Sequence, residues 1–475
     1  MLRLLYHVAV VEPPAVKHQN GPAVAKHVGV NRALPGRELQ MNEPTPADRL
    51  YRICEEGLCI GCGLCAAIAG TDAVQIAVTP EGALRPIAGP ALDHATVDRI
   101  YETCPGTRLE GLPAHEVDRD TEVDAVWGPF QQIVKAHATD PEVRFKAAAG
   151  GVLTALAIYL LESGKVDCVL HATASQEQPS FGVRQISRDR AEVLRGAGSR
   201  YGPTATLIDI DRLVDVGRPF AFVGTPCDVT ALRNLARVDP RVDALCRMMM
   251  APVCGGFMET PALARRLAEF GVDFDRLAAL RYRGHGCPGP THMEEIDGRV
   301  VEKTYLDFWG EDESAWSLPW RCKVCADGIG EAADIAASDV WPGGAPSRAQ
   351  AADHSQDPGA NGVLVRSARG LKLIEDAVRD GAVVVTTARG TRDMDVWQPH
   401  QVRRKRAVWA RYEGMRLAGH LVPATARLRL CELYAENPPE ENAAETEGSR
   451  RRVEMGKASE PRPRPADRPK VTRGS

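Results

Sequence analysis

The 475-residue sequence has no apolar run long enough to cross a membrane and no strong excess of either charge. One long uncharged stretch, residues 147–161, is interrupted by Gly150 and Gly151, which is typical of a buried helix and not of a membrane span. A formal net charge of −4 gives no reason to expect a nucleic acid or an anionic membrane as the main partner. No export signal with a small-residue cleavage site is recognisable, so we expect a cytoplasmic protein.

Familiar nucleotide and hydrolase signatures are also missing. GHGCPG, residues 284–289, has the glycine spacing of a dinucleotide-binding loop, but Pro288 and Pro290 stand where that loop requires a helix to begin. A strand-like stretch follows, so we do not expect a nucleotide-binding loop here. There is no P-loop, no HExxH zinc motif and no convincing hydrolase triad. The cysteines are therefore the most informative residues in the chain.

The sequence contains 13 cysteines. Disulfide frameworks are typical of small secreted domains, so metal ligation is the better interpretation of the clustered cysteines. Isolated ones such as Cys168, Cys246 and Cys431 are expected to be small buried apolar residues.

The first cysteine cluster lies in GLCIGCGLCAAIAG, residues 57–70. Cys59, Cys62 and Cys65 have the spacing that opens a bacterial ferredoxin run. Ala69 stands where the fourth cysteine of that run would be. Because thiolates at this spacing, with glycines between them, can wrap closely around a cubane, we expect an iron–sulfur cluster and not zinc.

Two cysteines are candidates for the missing fourth ligand. Cys54 lies upstream of the run, whereas Cys104 is followed by Pro105 and so restores the Cys-Pro ending of a ferredoxin run. We favour Cys104 and keep Cys54 as the alternative.

A second possible ligand set is spread over the larger part of the chain. Cys322 and Cys325 form a C-x2-C pair, and Cys227 and Cys254 each follow a strand-like run at a turn. Taken singly, Cys227 and Cys254 would be interpreted as buried structural thiols. Together with the pair they make a four-thiolate set, and Cys287 is a spare candidate.

Helix and strand signals alternate between residues 125 and 400. GGVLTALAIYLLESGK and CDVTALRNLA are predicted helices, and PFAFVG and AVVVTT are predicted strands. This alternation predicts an α/β (or α+β) catalytic domain.

The two ends of the chain have a different character. The first residues lack sustained periodicity, and Met41 is a plausible alternative start. From residue 436 the sequence is polar and rich in proline, which predicts disorder. The expected segments are a disordered leader over 1–46, a ferredoxin-like iron–sulfur segment over 50–112, the catalytic domain over 125–400, a helical extension over 401–435 and a disordered tail over 436–475.

Six phrases in this order resemble the successive motifs of the coenzyme F420 hydrogenase/dehydrogenase beta-subunit family. They are AAGGVLTAL, GAGSRYGPT, FVGTPCDVTALRNL, RYRGHGCPG, RCKVCADG and ADIAASDVWPG, and the resemblance covers about residues 50–400. That family uses flavin and iron–sulfur clusters. It includes F420-reducing subunits, formate dehydrogenase beta subunits, and single-chain reductases that act on tetrapyrroles with ferredoxin as donor.

The resemblance implies specific binding residues. It implies that Cys227, Cys254, Cys322 and Cys325 bind a 4Fe–4S cluster beside FAD. It implies a flavin pocket lined by Gly150, Gly151, Gly198, Arg200, Tyr201, Gly202 and Thr225. The plainer alternatives are a simple helix start at the glycine pair and a surface ion pair for the arginine.

The implied function is an iron–sulfur flavoprotein oxidoreductase. Electrons from a ferredoxin-type donor would enter at the first cysteine set and pass through two 4Fe–4S clusters and FAD to an organic acceptor, either the deazaflavin F420 or a tetrapyrrole-like compound. An alternative is an electron-transfer beta subunit of a larger hydrogenase or formate dehydrogenase complex, with a partner subunit or a homo-oligomer. A zinc-stapled binding protein without flavin or iron is the third possibility.

Overall fold

The computed structural model describes residues 43–311, 316–341, 343–346 and 358–466. The chain divides into two units, Met1–Glu43 and Pro44–Ser475, and the elements given below belong to the second. The predicted leader, including the alternative start at Met41, falls almost wholly outside the described residues.

The helices and strands of the described residues are as follows. The helices are α1 (Pro46–Glu55), α2 (Leu64–Ala69), α3 (His94–Thr103), α4 (Pro141–Lys146), α5 (Val152–Glu162), α6 (Arg190–Arg195), α7 (Ile210–Asp215), α8 (Pro226–Val238), α9 (Pro240–Leu245), α10 (Thr260–Glu269), α11 (Tyr305–Trp309), α12 (Trp320–Lys323), α13 (Ala368–Arg379), α14 (Thr391–Trp397), α15 (Pro399–Leu417), α16 (Leu430–Glu436) and α17 (Pro439–Glu454). The strands are β1 (Val74–Val78), β2 (Leu84–Ala88), β3 (Arg108–Glu110), β4 (Glu122–Asp124), β5 (Gly128–Phe130), β6 (Gln132–Ala138), β7 (Cys168–Ala174), β8 (Gly182–Ser187), β9 (Phe220–Val223), β10 (Cys246–Pro252), β11 (Leu277–Arg281), β12 (Thr291–Glu295), β13 (Val300–Lys303), β14 (Ile335–Asp339), β15 (Asn361–Val365), β16 (Val383–Arg389) and β17 (Ala424–Ala426).

An eight-stranded mixed sheet in the order β16-β6-β15-β14-β10-β9-β7-β8 forms the centre of this unit. Its middle strands, β14, β10, β9 and β7, are parallel, and the outer strands on both sides pair antiparallel. The sequences of β9 and β10, FAFV and CRMMMAP, are almost continuously apolar, as expected for strands covered on both faces. The prediction of an α/β fold is confirmed.

Alternate residues of these central strands pack against different helices. Ala221 and Met250 join the core formed with α5 and α13. Phe222 and Met249 point to the other face and join the core formed with α7 and α8. This is the period-two alternation of a strand, so the sheet lies between two helical layers.

The elements predicted from the sequence are found close to their expected positions. The helix predicted at GGVLTALAIYLLESGK is α5, and the strand predicted at PFAFVG is β9. The loop GHGCPG joins strands β11 and β12, which pair antiparallel, and no helix begins at it. The rejection of a dinucleotide-binding loop is therefore confirmed.

The prediction of a disordered tail from residue 436 is wrong for the described part of that tail. Residues Pro439–Glu454 form α17, which packs along α15. Thr446 donates a hydrogen bond to the Ala410 carbonyl at 3.1 Å, and Arg411 pairs with Glu445 at 2.9 Å. The tail is poor in large apolar residues, but small side chains and polar contacts between the two helices replace an apolar interface.

The residues after α17 return to the N-terminal part of the unit. The Glu460 carboxylate pairs with Arg85 through two hydrogen bonds of 2.7 and 2.8 Å. Ala458 is buried against Gly57, and the Ala466 amide donates to the Val78 carbonyl at 2.8 Å. The C-terminal segment thus covers the segment that carries the first cysteine cluster.

Among the described residues, no helix is both long and apolar enough to span a membrane.

The close approach of α15 and α17 predicts a difference between two glycines. A Cβ at Gly414 would meet the Thr446 carbonyl oxygen and would lie 2.8 Å from the Arg450 nitrogen, both backbone atoms of α17. A Cβ at Gly448 would approach only the end of the Arg452 side chain, at 3.1 Å. We expect Gly414→Ala to destabilise the protein by roughly 1–3 kcal/mol through overpacking. We expect Gly448→Ala to be neutral or to stabilise it by about 0.5–1 kcal/mol because alanine favours a helix.

Thermal unfolding and limited proteolysis of the two alanine variants test this packing. A lower midpoint and faster cleavage near residue 437 are expected only for Gly414→Ala. Equal behaviour of the two variants would contradict the tight contact between the helices.

Candidate functional site

A cavity of about 400 Å³ opens at the carboxyl ends of the parallel strands. Strand β9 runs into Thr225 and Cys227, β10 runs into Cys254, and β14 ends at Asp339, and all four residues line the cavity. Parallel strands end at the same edge of a sheet, so residues far apart in sequence meet there, as is common for ligand sites in α/β proteins. The volume lies in the range of small-molecule and cofactor sites.

Six of the seven residues predicted for a flavin pocket line this cavity. They are Gly151, Gly198, Arg200, Tyr201, Gly202 and Thr225. The seventh, Gly150, does not belong to the lining. A Cβ at Gly150 would lie 2.7 Å from the Asn361 nitrogen and 2.8 Å from the Ala360 Cα, so this glycine permits two backbone segments to approach behind the wall.

Arg200 lines the cavity and has backbone carbonyls, not a carboxylate, as its hydrogen-bond partners. Its Nη1 donates to the Leu280 carbonyl at 3.0 Å and makes a longer contact of 3.4 Å with the Pro179 carbonyl. Within the described ranges no carboxylate forms an ion pair with it, so the simple surface ion pair is not what the structure contains. A half-buried guanidinium with carbonyl partners keeps its positive charge and can still bind an anion.

Arg283 forms a rigid part of the same wall. Its guanidinium makes two hydrogen bonds to the Asp339 carboxylate, at 2.8 and 3.0 Å, and a third to the Ala148 carbonyl at 2.8 Å. It also lies over the Tyr305 ring, 5.3 Å from the centroid. No sequence pattern indicated a role for Arg283, although it immediately precedes the GHGCPG loop and is the last residue of the phrase RYR.

The structure brings the four cysteines of the second predicted set together. Cys227, Cys254, Cys322 and Cys325 all line the cavity. Burial raises the pKa of the Cys254 thiol to about 12, with a further contribution from the neighbouring Cys322. Burial and then Cys325 raise the pKa of Cys322, and burial raises that of Cys227, which also interacts with Cys254. Cys254 therefore interacts with each of the other three thiols.

Helix α15 positions two of the loops that carry these cysteines. Arg404 donates to the Cys254 carbonyl at 3.1 Å, and Gln401 donates to the same oxygen at 2.9 Å. Farther along the helix, Lys405 donates to the Ala326 carbonyl at 3.0 Å, directly after Cys325. One helix thus fixes the spacing between the loop after β10 and the C-x2-C pair.

The first cysteine set lies outside the cavity lining, in the segment between α1 and α3. Gly61 and Gly63 have φ values of +77° and +82°, which place the chain in the left-handed region that glycine tolerates. A Cβ at Gly61 would lie 2.7 Å from the Leu84 carbonyl, and one at Gly63 would lie 2.9 Å from the Ile208 Cα. The glycines between the cysteines are therefore required by the close wrapping of this loop.

Both candidates for the fourth ligand of the first set lie near it. Cys104 interacts electrostatically with Cys59, Cys62 and Cys65, and burial raises its pKa to about 12. Cys54 is fully buried and shares a hydrogen bond with Cys59, which raises the pKa of Cys54 and lowers that of Cys59 to about 7. Cys104 thus interacts electrostatically with all three cysteines of the run, whereas Cys54 is hydrogen-bonded to Cys59 and interacts electrostatically with Cys65.

The donor set fits iron–sulfur clusters on two grounds. Each set offers four cysteine sulfurs, which are the ligands of a 4Fe–4S cubane. Arg321 lies beside both sets and is 2% exposed, and two of its nitrogens are buried without an acceptor. Because an unpaired buried cation is costly, a nearby anion is expected there. Against this, no group of three or more His, Cys, Asp or Glu side chains within the described ranges is placed to hold a metal ion.

The remaining cysteines have varied positions. Cys168 and Cys246 are buried, as predicted, whereas Cys431 is exposed on α16, so that prediction was wrong. Cys287 is buried with Ala149 and Trp341 in a small apolar cluster and is not among the residues that line the cavity.

One buried carboxylate beside the cysteines was also not predicted from the sequence. Asp228 follows Cys227 directly, and burial raises its pKa to about 6. It accepts a hydrogen bond of 2.7 Å from the Thr225 hydroxyl, and its charge acts on both Cys62 and Cys227. Its position next to a candidate ligand at a helix start was the only signal in the sequence.

Two family models match this chain. The family model for the coenzyme F420 hydrogenase/dehydrogenase beta subunit matches in two parts, its N-terminal part at residues 133–210 and its C-terminal part at residues 217–390. The chain belongs to the coenzyme F420 hydrogenase/dehydrogenase beta-subunit family, as its motifs predicted.

Individual relatives are similar over part of their length. The beta subunit of the F420-dependent formate dehydrogenase of Methanocaldococcus jannaschii is 26% identical over 53% of this chain and 61% of its own length. The coenzyme F420 hydrogenase beta subunit of Methanococcus voltae is 34% identical over 23% of this chain and 40% of its own length. The coenzyme F420 hydrogenase beta subunit of Methanosarcina barkeri is 25% identical over 54% of this chain and 82% of its own length. The chain thus spans less than two thirds of the first two relatives.

A solved structure is also similar. A chain of the F420-reducing [NiFe] hydrogenase complex of Methanosarcina barkeri aligns with a TM-score of 0.46 at 20% identity, over 62% of this chain and 95% of that chain.

The wall formed by Arg283 predicts a clear effect on stability. Replacing this arginine by methionine leaves Asp339 without its partner in a largely buried position. We therefore expect the free energy of unfolding to fall by about 3 kcal/mol. Arg276 is the matched control, because it pairs with Asp297 at 2.7 Å in the same region but both side chains are about half exposed. Arg276→Met should cost less than about 1 kcal/mol. Chemical denaturation of both variants measures the difference, and equal losses would contradict a structural role of the Arg283–Asp339 pair in the wall.

Proposed function

We propose that this chain is an iron–sulfur flavoprotein oxidoreductase that transfers electrons between a redox partner and an organic acceptor. The observation that carries the proposal is the convergence of Cys227, Cys254, Cys322 and Cys325 on the wall of a cofactor-sized cavity, in a chain of this family. A second group of four cysteines lies outside that cavity and supplies a place for electrons to enter or leave.

The two cysteine sets are assigned as ligands of two 4Fe–4S clusters. Cys59, Cys62, Cys65 and Cys104 would hold one cluster, and Cys227, Cys254, Cys322 and Cys325 the other. The cavity would hold FAD. When bound, the clusters supply single-electron transfer, and the flavin supplies the exchange between single electrons and a hydride equivalent.

The residues of this chain would bind and orient these groups. Arg200 places a positive charge at the cavity, where it suits the pyrophosphate of a dinucleotide. Tyr201 packs edge-on against Trp309, with 4.7 Å between ring centroids, and both line the cavity, so they provide an aromatic wall that excludes water. Thr225 makes a 3.1 Å hydrogen bond with the Cys227 sulfur and links the flavin cavity to the second cysteine set.

The relatives point to the partners. They are named as beta subunits of an F420-dependent formate dehydrogenase and of coenzyme F420 hydrogenases. We therefore propose the deazaflavin F420 as the organic acceptor or donor and a larger redox subunit as the partner of this chain.

A second candidate is a self-contained reductase that receives electrons from a ferredoxin-type carrier and reduces a tetrapyrrole-like acceptor. The observation in its favour is that the first cysteine set lies on the same chain as the cavity, so a diffusing carrier could deliver electrons directly. Co-purification with a larger redox subunit would favour the first candidate, and turnover by the isolated chain with reduced ferredoxin would favour the second.

Anaerobic purification tests the proposal. We expect about eight irons per chain, bound flavin and broad absorption near ~400 nm, as two cubanes and a flavin require. A colourless protein that contains zinc, with neither flavin nor iron, would contradict the proposal and support the zinc-stapled alternative.

The assignment of the fourth ligand makes a separate prediction. Cys104→Ala should lose the iron of one cluster, about four atoms per chain, and should retain flavin, because Cys104 is outside the cavity lining. Cys54→Ala is the matched control and should retain all of the iron. Iron and flavin analysis of anaerobically prepared protein measures both, and iron loss in Cys54→Ala alone would show that Cys54 is the fourth ligand.

A further inference from the structure

Arg321 is a buried arginine whose hydrogen-bonding groups are only partly used. Its side chain is 2% exposed, and its Nη2 donates to the Pro105 carbonyl at 2.9 Å. Its Nε and Nη1 have no acceptor among the described residues. Leaving two nitrogen donors of a buried cation unsatisfied is costly, so these groups are expected to face an acceptor that binds there.

The position of Arg321 identifies the neighbourhood of that acceptor. The residue directly precedes Cys322, and its charge acts on Cys325, Cys227 and Cys322. On the other side it is anchored to the carbonyl that follows Cys104, and its charge acts on Cys104 as well. The guanidinium therefore lies between the two cysteine sets.

Tyr412 adds a second unpartnered donor at the same place. This residue of α15 is fully buried, and its hydroxyl has no partner among the described residues. It interacts with both Arg321 and Cys325. Three unused donor atoms, two on Arg321 and one on Tyr412, thus lie beside the second cysteine set.

Arg85 shows how the fold treats a comparable cation differently. It is buried beside Cys59 and Cys54, but it has a carboxylate partner, because Glu460 binds it through two hydrogen bonds of 2.7 and 2.8 Å. No carboxylate within the described ranges forms an ion pair with Arg321. The protein thus neutralises the cation at the first set and leaves the cation between the sets without a protein anion.

We propose that Arg321 is a positioning residue that donates hydrogen bonds and a fixed positive charge to the iron–sulfur clusters of the two cysteine sets and raises their reduction potentials, with Tyr412 as a neutral second donor at the second set. This inference rests on the proposed function, because it requires the clusters. Reduction adds one negative charge to a cluster, and a nearby buried cation stabilises the reduced form more than the oxidised form. Hydrogen bonds to cluster sulfurs act in the same direction.

The test is a redox titration of the clusters, monitored by electron paramagnetic resonance, in the full chain purified anaerobically. Arg321→Met removes the charge and the donors with little change in size, and Arg321→Lys keeps the charge. We expect Arg321→Met to lower the reduction potential of at least one cluster by about 59 mV or more. This shift corresponds to a tenfold change in the one-electron equilibrium constant. Arg321→Lys should move it by less than half as much, and Tyr412→Phe should lower only the second-set potential.

Arg233→Met is the matched control. Arg233 is also a buried arginine, on α8, but it is paired with Asp334 at 2.9 Å and it also contacts the Ala332 carbonyl, Asp243 and Glu116. Its loss should lower stability and leave both cluster potentials unchanged. A potential shift equal to that of Arg321→Met would show a general effect of core disruption and would overturn the inference.

Other outcomes are equally decisive. Unchanged potentials in Arg321→Met with full iron content would overturn the inference, as would loss of flavin with iron and potentials intact. If Arg321→Met loses iron, retention of iron in Arg321→Lys supports a requirement for the charge, and equal loss in both variants overturns it. A wild-type chain without clusters would refute the proposed function itself, which iron analysis of the wild type distinguishes from failure of this inference alone.

Discussion

The parallel alignment of β9, β10 and β14 is the constraint on which the site depends. Because their carboxyl ends lie at one edge of the sheet, Cys227 and Cys254 are placed together although 27 positions separate them in the sequence. Their strands are apolar on both faces and fixed between two helical layers, so the loops at that edge start from rigid positions. Hydrogen bonds from α15 then fix the distance between the C-x2-C pair and the loop after β10.

Charge compensation is the second constraint, and it links distant parts of the chain. Burial disfavours thiolates, so the cysteine sets depend on cations nearby to bind an anionic group. Arg85 lies beside the first set, but it is paired with Glu460 of the C-terminal segment. Arg321 lies between the sets and has two nitrogens without an acceptor among the described residues. The end of the chain is thus part of the environment of the cysteines near its beginning.

Local patterns in the sequence predicted many of the helices and strands, and the family resemblance indicated six residues of the cavity lining and the four cysteines on it. The residue types in the apolar runs of α5 and β9 favour a helix and a strand, and the glycines between Cys59 and Cys65 permit the positive φ values found there. Arg283, Arg321 and Asp228 could not be predicted, because their roles arise from neighbours brought together by folding. The helix α17 was missed for the same reason: its stability comes from α15 and not from an apolar face of its own.

Anomalous X-ray diffraction at the iron edge, from crystals grown without oxygen, tests the central claim most directly, because it locates iron independently of any variant. Two iron sites are expected, one among Cys59, Cys62, Cys65 and Cys104 and one among Cys227, Cys254, Cys322 and Cys325, with Arg321 between them. Iron at one set only, or zinc in place of iron at either set, would contradict the assignment of two clusters.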